Sequence, residues 1–207
     1  MKKNFDVEDF INKIRYNCGI GEVKEFKAEE VITTFLIRRN QLCILLDGEA
    51  QLITYDKDGN KKILYFYKKN DIFGEALFRL YYDRELFVLA KKRTQVLFIP
   101  YDTIENCNQD CDFHLELLRN LPDLILSGIA DQNLRILLLS NKNVRDKLLT
   151  YFNNLSREYS DKTFRLPLSL TDLADYLMIE RTSMMREIKR LKDEGIIKKN
   201  KNTITLI

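Results

Sequence analysis

Apolar residues follow two different periods along the chain, one before and one after residue 112. Between residues 20 and 105, runs rich in Val, Ile, Leu, Tyr and Phe recur and are separated by turn residues. Runs that recur about every 8–12 residues are typical of strands in a small antiparallel barrel or sandwich. The predicted strands are 31–36, 42–46, 50–55, 62–67 and 93–99. Residues 56–60, Asp-Lys-Asp-Gly-Asn, are the clearest hairpin signal, with Gly59 available for a positive φ.

After residue 112 the apolar period becomes helical. The segment 122–139 predicts a helix in which Pro122 lies in the first turn and Asp123 at the positive end of the helix dipole. It carries more Leu and Ile than one neighbouring surface needs, which favours a homodimer joined by this helix. The alternative is burial against the β domain. Residues 140–143 break the helix, a second one starts at 144 and runs to 155, and 156–166 are predicted to form a loop.

The last forty residues have the pattern of a winged helix-turn-helix. Ser169 is a predicted N-cap, followed by apolar residues at helical spacing through Leu177. A short turn, 178–180, leads to a second helix, 181–194, which Gly195 ends. Its inward stripe is Met184, Ile188 and Leu191. Residues 196–207 predict two short strands around a basic tip, which form the wing. The alternative is a helical hairpin that contacts another protein.

The distribution of charge supports a phosphate-binding C-terminus. The net charge of the chain is only +3. Residues 181–201 nevertheless hold eight basic and three acidic side chains, so this window carries +5 and the other 186 residues carry −2. A basic end on a slightly acidic body is typical of a nucleic-acid-binding module. Charge alone also fits a solvated, lysine-rich tail.

The outward face of the second helix supplies the candidate DNA-binding residues. Arginine can give two donors to guanine O6 and N7, threonine and serine can bond a base edge or a phosphate, and an apolar side chain can pack on a thymine methyl. Lysines and the more distal arginine suit phosphates, which position the protein without reading sequence. Each residue also has an interpretation as ordinary surface. The candidates are Arg181, Thr182, Ser183, Met185, Arg186, Lys189 and Arg190.

Other classes of function find little support. No run of 18 apolar residues predicts a membrane helix, and the polar start lacks a signal peptide, so the expected location is cytoplasmic. No glycine-rich phosphate loop, nucleophile elbow or metal-ligand set appears, so we expect no catalytic residues, no metal and no cofactor. The four cysteines are predicted to be free thiols, with a redox pair of Cys107 and Cys111 as the alternative.

Three segments resemble those of the Crp/Fnr family of regulators. Residues 173–197 resemble its helix-turn-helix, 70–78 the phosphate-binding segment of cyclic-nucleotide domains, and 46–52 a glycine-marked turn of the β-roll. The resemblance implies an α+β chain with an antiparallel, jelly-roll-like β-roll sensor (1–112), a dimerisation helix (113–140) and a winged helix-turn-helix (141–207). It also implies a homodimer on near-palindromic double-stranded DNA, with half-sites about one helical turn apart. RNA polymerase is a further candidate partner.

Two departures from the family pattern carry predictions. The candidate effector-pocket residues are Gly74, Glu75 and Arg84, but Arg84 is followed by Glu85 where cyclic-nucleotide binders have a hydroxyl residue. A carboxylate there repels a cyclic phosphate, so we predict an unidentified effector other than cyclic AMP. A constitutive regulator, with the β-roll as scaffold, is the alternative. Met178 replaces the usual glycine of the helix-helix turn, which predicts strain if that turn requires a positive φ.

Overall fold

The computed structural model describes residues 21–36, 40–74, 85–105 and 112–207. The chain divides into two compact units, Met1–Ala130 and Asp131–Ile207, and the boundary falls inside a long helix. The first unit contains antiparallel sheets followed by a short helix and the first part of the long one, and the second unit contains helices with a small sheet. The α+β class, the N-terminal β-roll and the C-terminal winged helix-turn-helix predicted from the sequence are confirmed.

Among the described residues of the first unit, eight strands form two four-stranded antiparallel sheets. One sheet has the order β1-β8-β3-β6 and the other the order β2-β7-β4-β5. All five predicted runs contain a strand, whereas β1, β6 and β7 were not predicted. The strands are β1 (Glu22–Phe26), β2 (Val31–Thr34), β3 (Gln41–Asp47), β4 (Ala50–Tyr55), β5 (Lys61–Tyr67), β6 (Ile72–Phe73), β7 (Phe87–Ala90) and β8 (Thr94–Pro100).

The β4–β5 hairpin has the predicted turn. Gly59 has φ +79°, and the Asp56 carboxylate accepts hydrogen bonds from the backbone N–H groups of Asp58 and Asn60 at 3.0 and 2.9 Å. These bonds hold the pKa of Asp56 below its ordinary value, with the Asn60 backbone N–H as the largest cause. A side chain that satisfies its own turn in this way fixes the register of the two strands.

One glycine allows a close approach of two strands. Gly74 follows β6 with φ +127°, and a Cβ atom at this position would lie 2.3 Å from the Gln41 carbonyl oxygen. Only glycine fits both that backbone conformation and that distance. The packing of the β-roll is therefore sufficient to explain the glycine at position 74.

Two helices follow the sheets: α1 (Tyr101–Glu105) and the long α2 (Asp112–Ser140). The prediction that Pro122 starts the long helix is wrong, because ten helical residues precede it. An interior proline removes one backbone hydrogen bond and costs about 3 kcal/mol. Leu121 and Ile125, on either side of it, pack against a buried cluster of β3 and β8 residues, which offsets that cost.

The second unit adds three helices and a three-stranded sheet. Its elements are α3 (Val144–Glu158), β9 (Thr163–Arg165), α4 (Leu170–Tyr176), α5 (Arg181–Asp193), β10 (Ile197–Asn200) and β11 (Thr203–Leu206). The sheet order is β10-β11-β9. The predicted loop 156–166 is partly wrong, because α3 extends to Glu158 and β9 pairs with β11. Phe164 of β9 is buried in the core, which is why this polar segment forms a strand.

The core of the second unit comes from one face of each helix. On α3, Leu148, Phe152 and Leu155 are buried, and Leu149 packs against them. The sheet adds Ile197 and Ile204. Within the described ranges, no helix is both long enough and apolar enough to cross a membrane.

Candidate nucleic-acid interface

Helix α4 begins at a side-chain cap. The Ser169 hydroxyl accepts a hydrogen bond from the Asp172 backbone N–H at 3.1 Å and donates to the Asp172 carboxylate at 2.7 Å. The serine thus satisfies one free N–H of the first turn, and the carboxylate lies near the positive end of the helix dipole. Leu173, Ala174 and Leu177 are buried below, as the predicted stripe requires.

The turn between α4 and α5 takes the conformation that usually selects glycine. Met178 has φ +51°, so the predicted condition for strain is met. The N–H groups of Met178 and Ile179 donate to the carbonyls of Asp175 and Ala174 at 3.1 and 3.0 Å, a helix-ending motif that needs a left-handed residue. From α3, the Lys147 ammonium donates to the Leu177 carbonyl at 3.1 Å. These bonds hold the turn despite the methionine.

Helix α5 separates an apolar inner face from a polar outer face. Met184, Ile188 and Leu191 are buried, as predicted. Glu194 is the C-cap and Gly195, with φ +75°, leaves the helix. The candidate DNA-binding residues lie outside this stripe: Ser183 is half-buried, and the exposed ones are Arg181, Thr182, Met185, Arg186, Lys189 and Arg190.

Charged residues that the sequence did not single out fix α5 against α3. The Arg145 guanidinium on α3 donates to Glu187 at 3.2 Å and to Glu194 at 2.5 Å. Glu187 also pairs with Arg190 at 3.3 Å, so this arginine is tied to its own helix. The hydrogen bond to Arg145 lowers the pKa of Glu194, and the same bond raises the pKa of Arg145. Arg145 is more than 40 residues from its partners in sequence, so no local pattern indicates the network.

The predicted wing is present as the hairpin of β10 and β11. Ile197 pairs with Leu206 and Asn200 with Thr203, and Lys201 takes φ +50° at the tip. The Lys199 ammonium donates to the Lys201 carbonyl at 2.5 Å. Exposed Lys198 and Lys201 add positive charge to this hairpin.

Within the second unit, the C-terminal part of α2 packs against α4. Arg135 is 7% exposed, and its guanidinium lies 4.3 Å from the centre of the Tyr176 ring. The same guanidinium donates to the Tyr176 carbonyl at 3.3 Å. Tyr176 directly precedes Leu177 and the turn, so Arg135 supports the helix end from which the turn departs.

The interior of the β-roll contains aromatic side chains. Tyr67 lies between Tyr65 and Phe73, with ring centres 4.9 and 4.8 Å away, and Phe35 is buried in the same cluster. Burial raises the pKa of the Tyr67 hydroxyl, with a smaller effect from Asp71, so the ring stays neutral. Cys43 lies fully buried in β3, one of the predicted strands, and forms no disulfide.

The predicted effector and redox residues are placed only in part. Gly74 is described above, whereas Glu75, Arg84, Cys107 and Cys111 lie outside the described residues. Among the residues that the structure describes, no group of three or more His, Cys, Asp and Glu side chains is arranged to hold a metal ion.

Comparison with known proteins covers both units. The model of the cyclic nucleotide-binding domain matches residues 23–110, and the model of the Crp-like helix-turn-helix domain matches residues 146–207. The anaerobic regulatory protein of Pasteurella multocida is 26% identical over 173 residues, 81% of this chain and 62% of that protein. The fumarate and nitrate reduction regulatory protein of Yersinia pestis is 28% identical over 173 residues, 80% of this chain and 66% of that protein. The chain thus spans slightly less than two thirds of these relatives.

A solved structure shares the fold. FixK2 from Bradyrhizobium japonicum superposes with a TM-score of 0.66 at 19% identity, covering 90% of this chain and 92% of FixK2. A β-roll, a long helix and a winged helix-turn-helix define a regulator class rather than an enzyme class. The chain belongs to the Crp/Fnr family of transcription regulators.

Proposed function

We propose that the protein binds DNA in a sequence-specific manner as a homodimer and regulates transcription in response to an effector other than cyclic AMP. The observation that carries the DNA-binding part is the division of α5 into a buried apolar stripe and an exposed face with Arg181, Arg186 and Lys189. A helix with this face fits the major groove, which is about 12 Å wide.

The exposed residues of α5 and the wing divide into candidates for base contacts and candidates for phosphate contacts. Arg181 and Arg186 present paired donors suited to guanine, Thr182 and Ser183 present hydroxyls, and Met185 offers an apolar contact for a thymine methyl. Lys189 and the wing lysines suit phosphates. Arg190 is already paired with Glu187, so we assign it a phosphate contact that competes with this ion pair.

An apolar stripe on α2 supports the homodimer. Seven of its Leu and Ile side chains are 42–64% exposed within this chain, and all of them except Leu134 lie on one side of the helix. At 3.6 residues per turn these six fall within a sector of about 100°, the width of a helix-packing face. A second copy of the same helix would cover this stripe. The six residues are Leu115, Leu118, Leu126, Ile129, Ile136 and Leu137.

The interior of the β-roll supports an effector unlike a cyclic nucleotide. Phe35, Tyr65, Tyr67 and Phe73 form one buried cluster between the sheets. Bulky rings in van der Waals contact leave little room for a nucleotide. Glu85, which directly follows Arg84 in the sequence, also argues against a cyclic nucleotide, because its carboxylate would repel the cyclic phosphate. Micromolar binding of cyclic AMP in a calorimetric titration would contradict this part of the proposal.

The DNA-binding proposal is tested by selection from a random duplex library with the purified chain, repeated in cell extract. We expect a palindromic motif, and Arg186→Ala should weaken binding to it by about 1–3 kcal/mol while relaxing one position per half-site. Arg93→Ala, which removes an 80% exposed arginine side chain of the first unit, is the matched control and should leave the motif unchanged. Failure to enrich any motif under both conditions would overturn the proposal.

A further inference from the structure

Glu180 is the N-cap residue of α5, but its side chain does not cap the helix. It occupies the N-cap with φ −65° and ψ 131°, and its side chain makes no capping hydrogen bond. Helix starts favour Ser, Thr, Asp and Asn because their short side chains reach the free N–H groups. The helix dipole favours any negative charge here, but aspartate would supply the charge and the cap together. Local helix stability therefore does not account for a glutamate.

The Glu180 side chain is instead bonded to a candidate base-reading residue. The Thr182 hydroxyl donates to Glu180 Oε2 at 2.9 Å, and both residues are exposed. A hydroxyl has a single proton to donate. Once the carboxylate accepts that proton, the threonine oxygen can only accept hydrogen bonds. Glu180 and Thr182, which we name the acceptor pair, therefore present acceptors alone.

The acceptor pair contrasts with the rest of the α5 outer face. Arg181, Arg186 and Lys189 carry donors only, which match the acceptors of guanine and the phosphates. In the major groove, cytosine presents a single hydrogen-bonding group, its N4 amino donor, and acidic side chains are the usual acceptors for it. Adenine places an acceptor, N7, beside its amino group, so it matches an acceptor-only surface less well.

We propose that the acceptor pair determines specificity by selecting cytosine at one position of each half-site. This inference rests on the proposed function, since it concerns the same DNA interface. A carboxylate near the groove is repelled by the phosphates of every sequence, and a cytosine amino group compensates this repulsion only at the matching site. The pair therefore lowers binding to unrelated DNA more than binding to the correct site.

The test compares four full-length chains in library selection and in direct binding to the selected and a scrambled duplex at one salt concentration. The chains are the wild type, Glu180→Gln, Thr182→Val and Asp193→Asn. Glu180→Gln keeps the shape but removes the charge and adds a donor. We expect it to lose the cytosine preference at one position and to bind the scrambled duplex more tightly. The ratio of affinities for selected over scrambled DNA should fall about tenfold.

The other two variants separate pairing from charge. Thr182→Val removes the hydroxyl at nearly constant shape and should relax the same position as Glu180→Gln. Asp193→Asn removes the same charge about 20 Å along the helix and should leave the motif unchanged. Circular dichroism checks that each variant is folded.

The outcomes distinguish this inference from the proposed function. A wild-type motif that Glu180→Gln retains, with an unchanged affinity ratio, overturns the acceptor pair and leaves DNA binding standing. A motif that changes equally in Asp193→Asn also overturns the acceptor pair, because net charge alone then explains the effect. A wild-type chain that enriches no motif overturns the proposed function and the acceptor pair with it.

Discussion

The residues of interest lie on the surface in the C-terminal unit and in the interior in the N-terminal unit. In the C-terminal unit, the polar candidates lie on the exposed face of α5, above buried Met184 and Leu191. In the N-terminal unit, the interior between the two sheets holds Tyr65, Tyr67 and Phe73. A surface site of one helix can be derived from a period in the sequence. An interior site depends on strands that lie far apart along the chain.

The largest expected effect tests whether the β-roll interior is a packed core. Tyr67→Ala should lower the free energy of unfolding by about 3–5 kcal/mol, because it removes a buried ring in contact with two others. Urea unfolding followed by circular dichroism measures the loss. Tyr55→Ala is the matched control on the same sheet, where the tyrosine is 46% exposed, and should cost about 1 kcal/mol. Equal, small losses of unfolding free energy in both variants would contradict a packed core and would indicate a cavity that can hold a ligand.

A second substitution tests the close approach of strands in the same unit. Gly74→Ala should cost about 3 kcal/mol, since the new Cβ would meet the Gln41 carbonyl oxygen in a backbone conformation that disfavours alanine. Gly59→Ala is the control: φ is also positive at +79°, but nothing lies within 4 Å of the added Cβ. It should cost about 1 kcal/mol. Similar values in thermal melts would show that φ alone, and not the contact, governs position 74.

In the C-terminal unit, the strained turn offers a stabilising substitution. Met178→Gly should raise the free energy of unfolding by about 1 kcal/mol, because glycine adopts φ +51° without steric cost and the methionine side chain is 53% exposed. Glu180→Gly, in the same turn at φ −65°, is the control and should give no gain. A loss of stability in Met178→Gly would mean that the methionine packs more strongly than its exposure indicates.

The smallest expected effect is a dependence on pH. Arg145 lowers the pKa of Glu194 below its ordinary value of 4.5, so the ion pair stabilises the folded state above that pH. The stabilisation is lost as the pH falls through 4.5 and below, where the carboxylate takes up a proton. The melting temperature of Glu194→Gln should therefore lie below that of the wild type at pH 7 and converge with it near pH 3. Asp193→Asn, which removes the neighbouring carboxylate and leaves this ion pair in place, is the control.

The sequence predicted the C-terminal unit more completely than the N-terminal one. The Ser169 cap, the Gly195 end and the stripe Met184, Ile188 and Leu191 are all local signals, and each is confirmed. Arg145 was missed because its partners Glu187 and Glu194 meet it only after folding. The acceptor pair was missed because a Glu-x-Thr spacing gives no sign that the two side chains bond.

In the N-terminal unit, prediction failed where strands are short or pair with distant partners. Strand β6 has two residues, and β7 follows a segment whose composition shows no alternation. Pro122 predicts a helix start because a proline suits the first turn, but packing of Leu121 and Ile125 continues the helix through it. Buried and half-buried residues alternate along β5, as they do in most strands with one face in a core. This pattern alone could not show that the aromatic rings of β5 contact Phe73 inside the β-roll.

The burial of Arg135 has a consequence for dissecting the molecule. Leu138 belongs to the core of the second unit, and Arg135 lies against Tyr176. A fragment that begins at residue 141 would leave that surface of α4 open to water. A fragment that begins at residue 131 would keep Arg135 and Leu138, which cover this surface of α4. The last turns of the long helix would remain as a short N-terminal helix. A protease that cuts α2 between residues 130 and 131 should accordingly release the DNA-binding unit with ten residues of the long helix still attached.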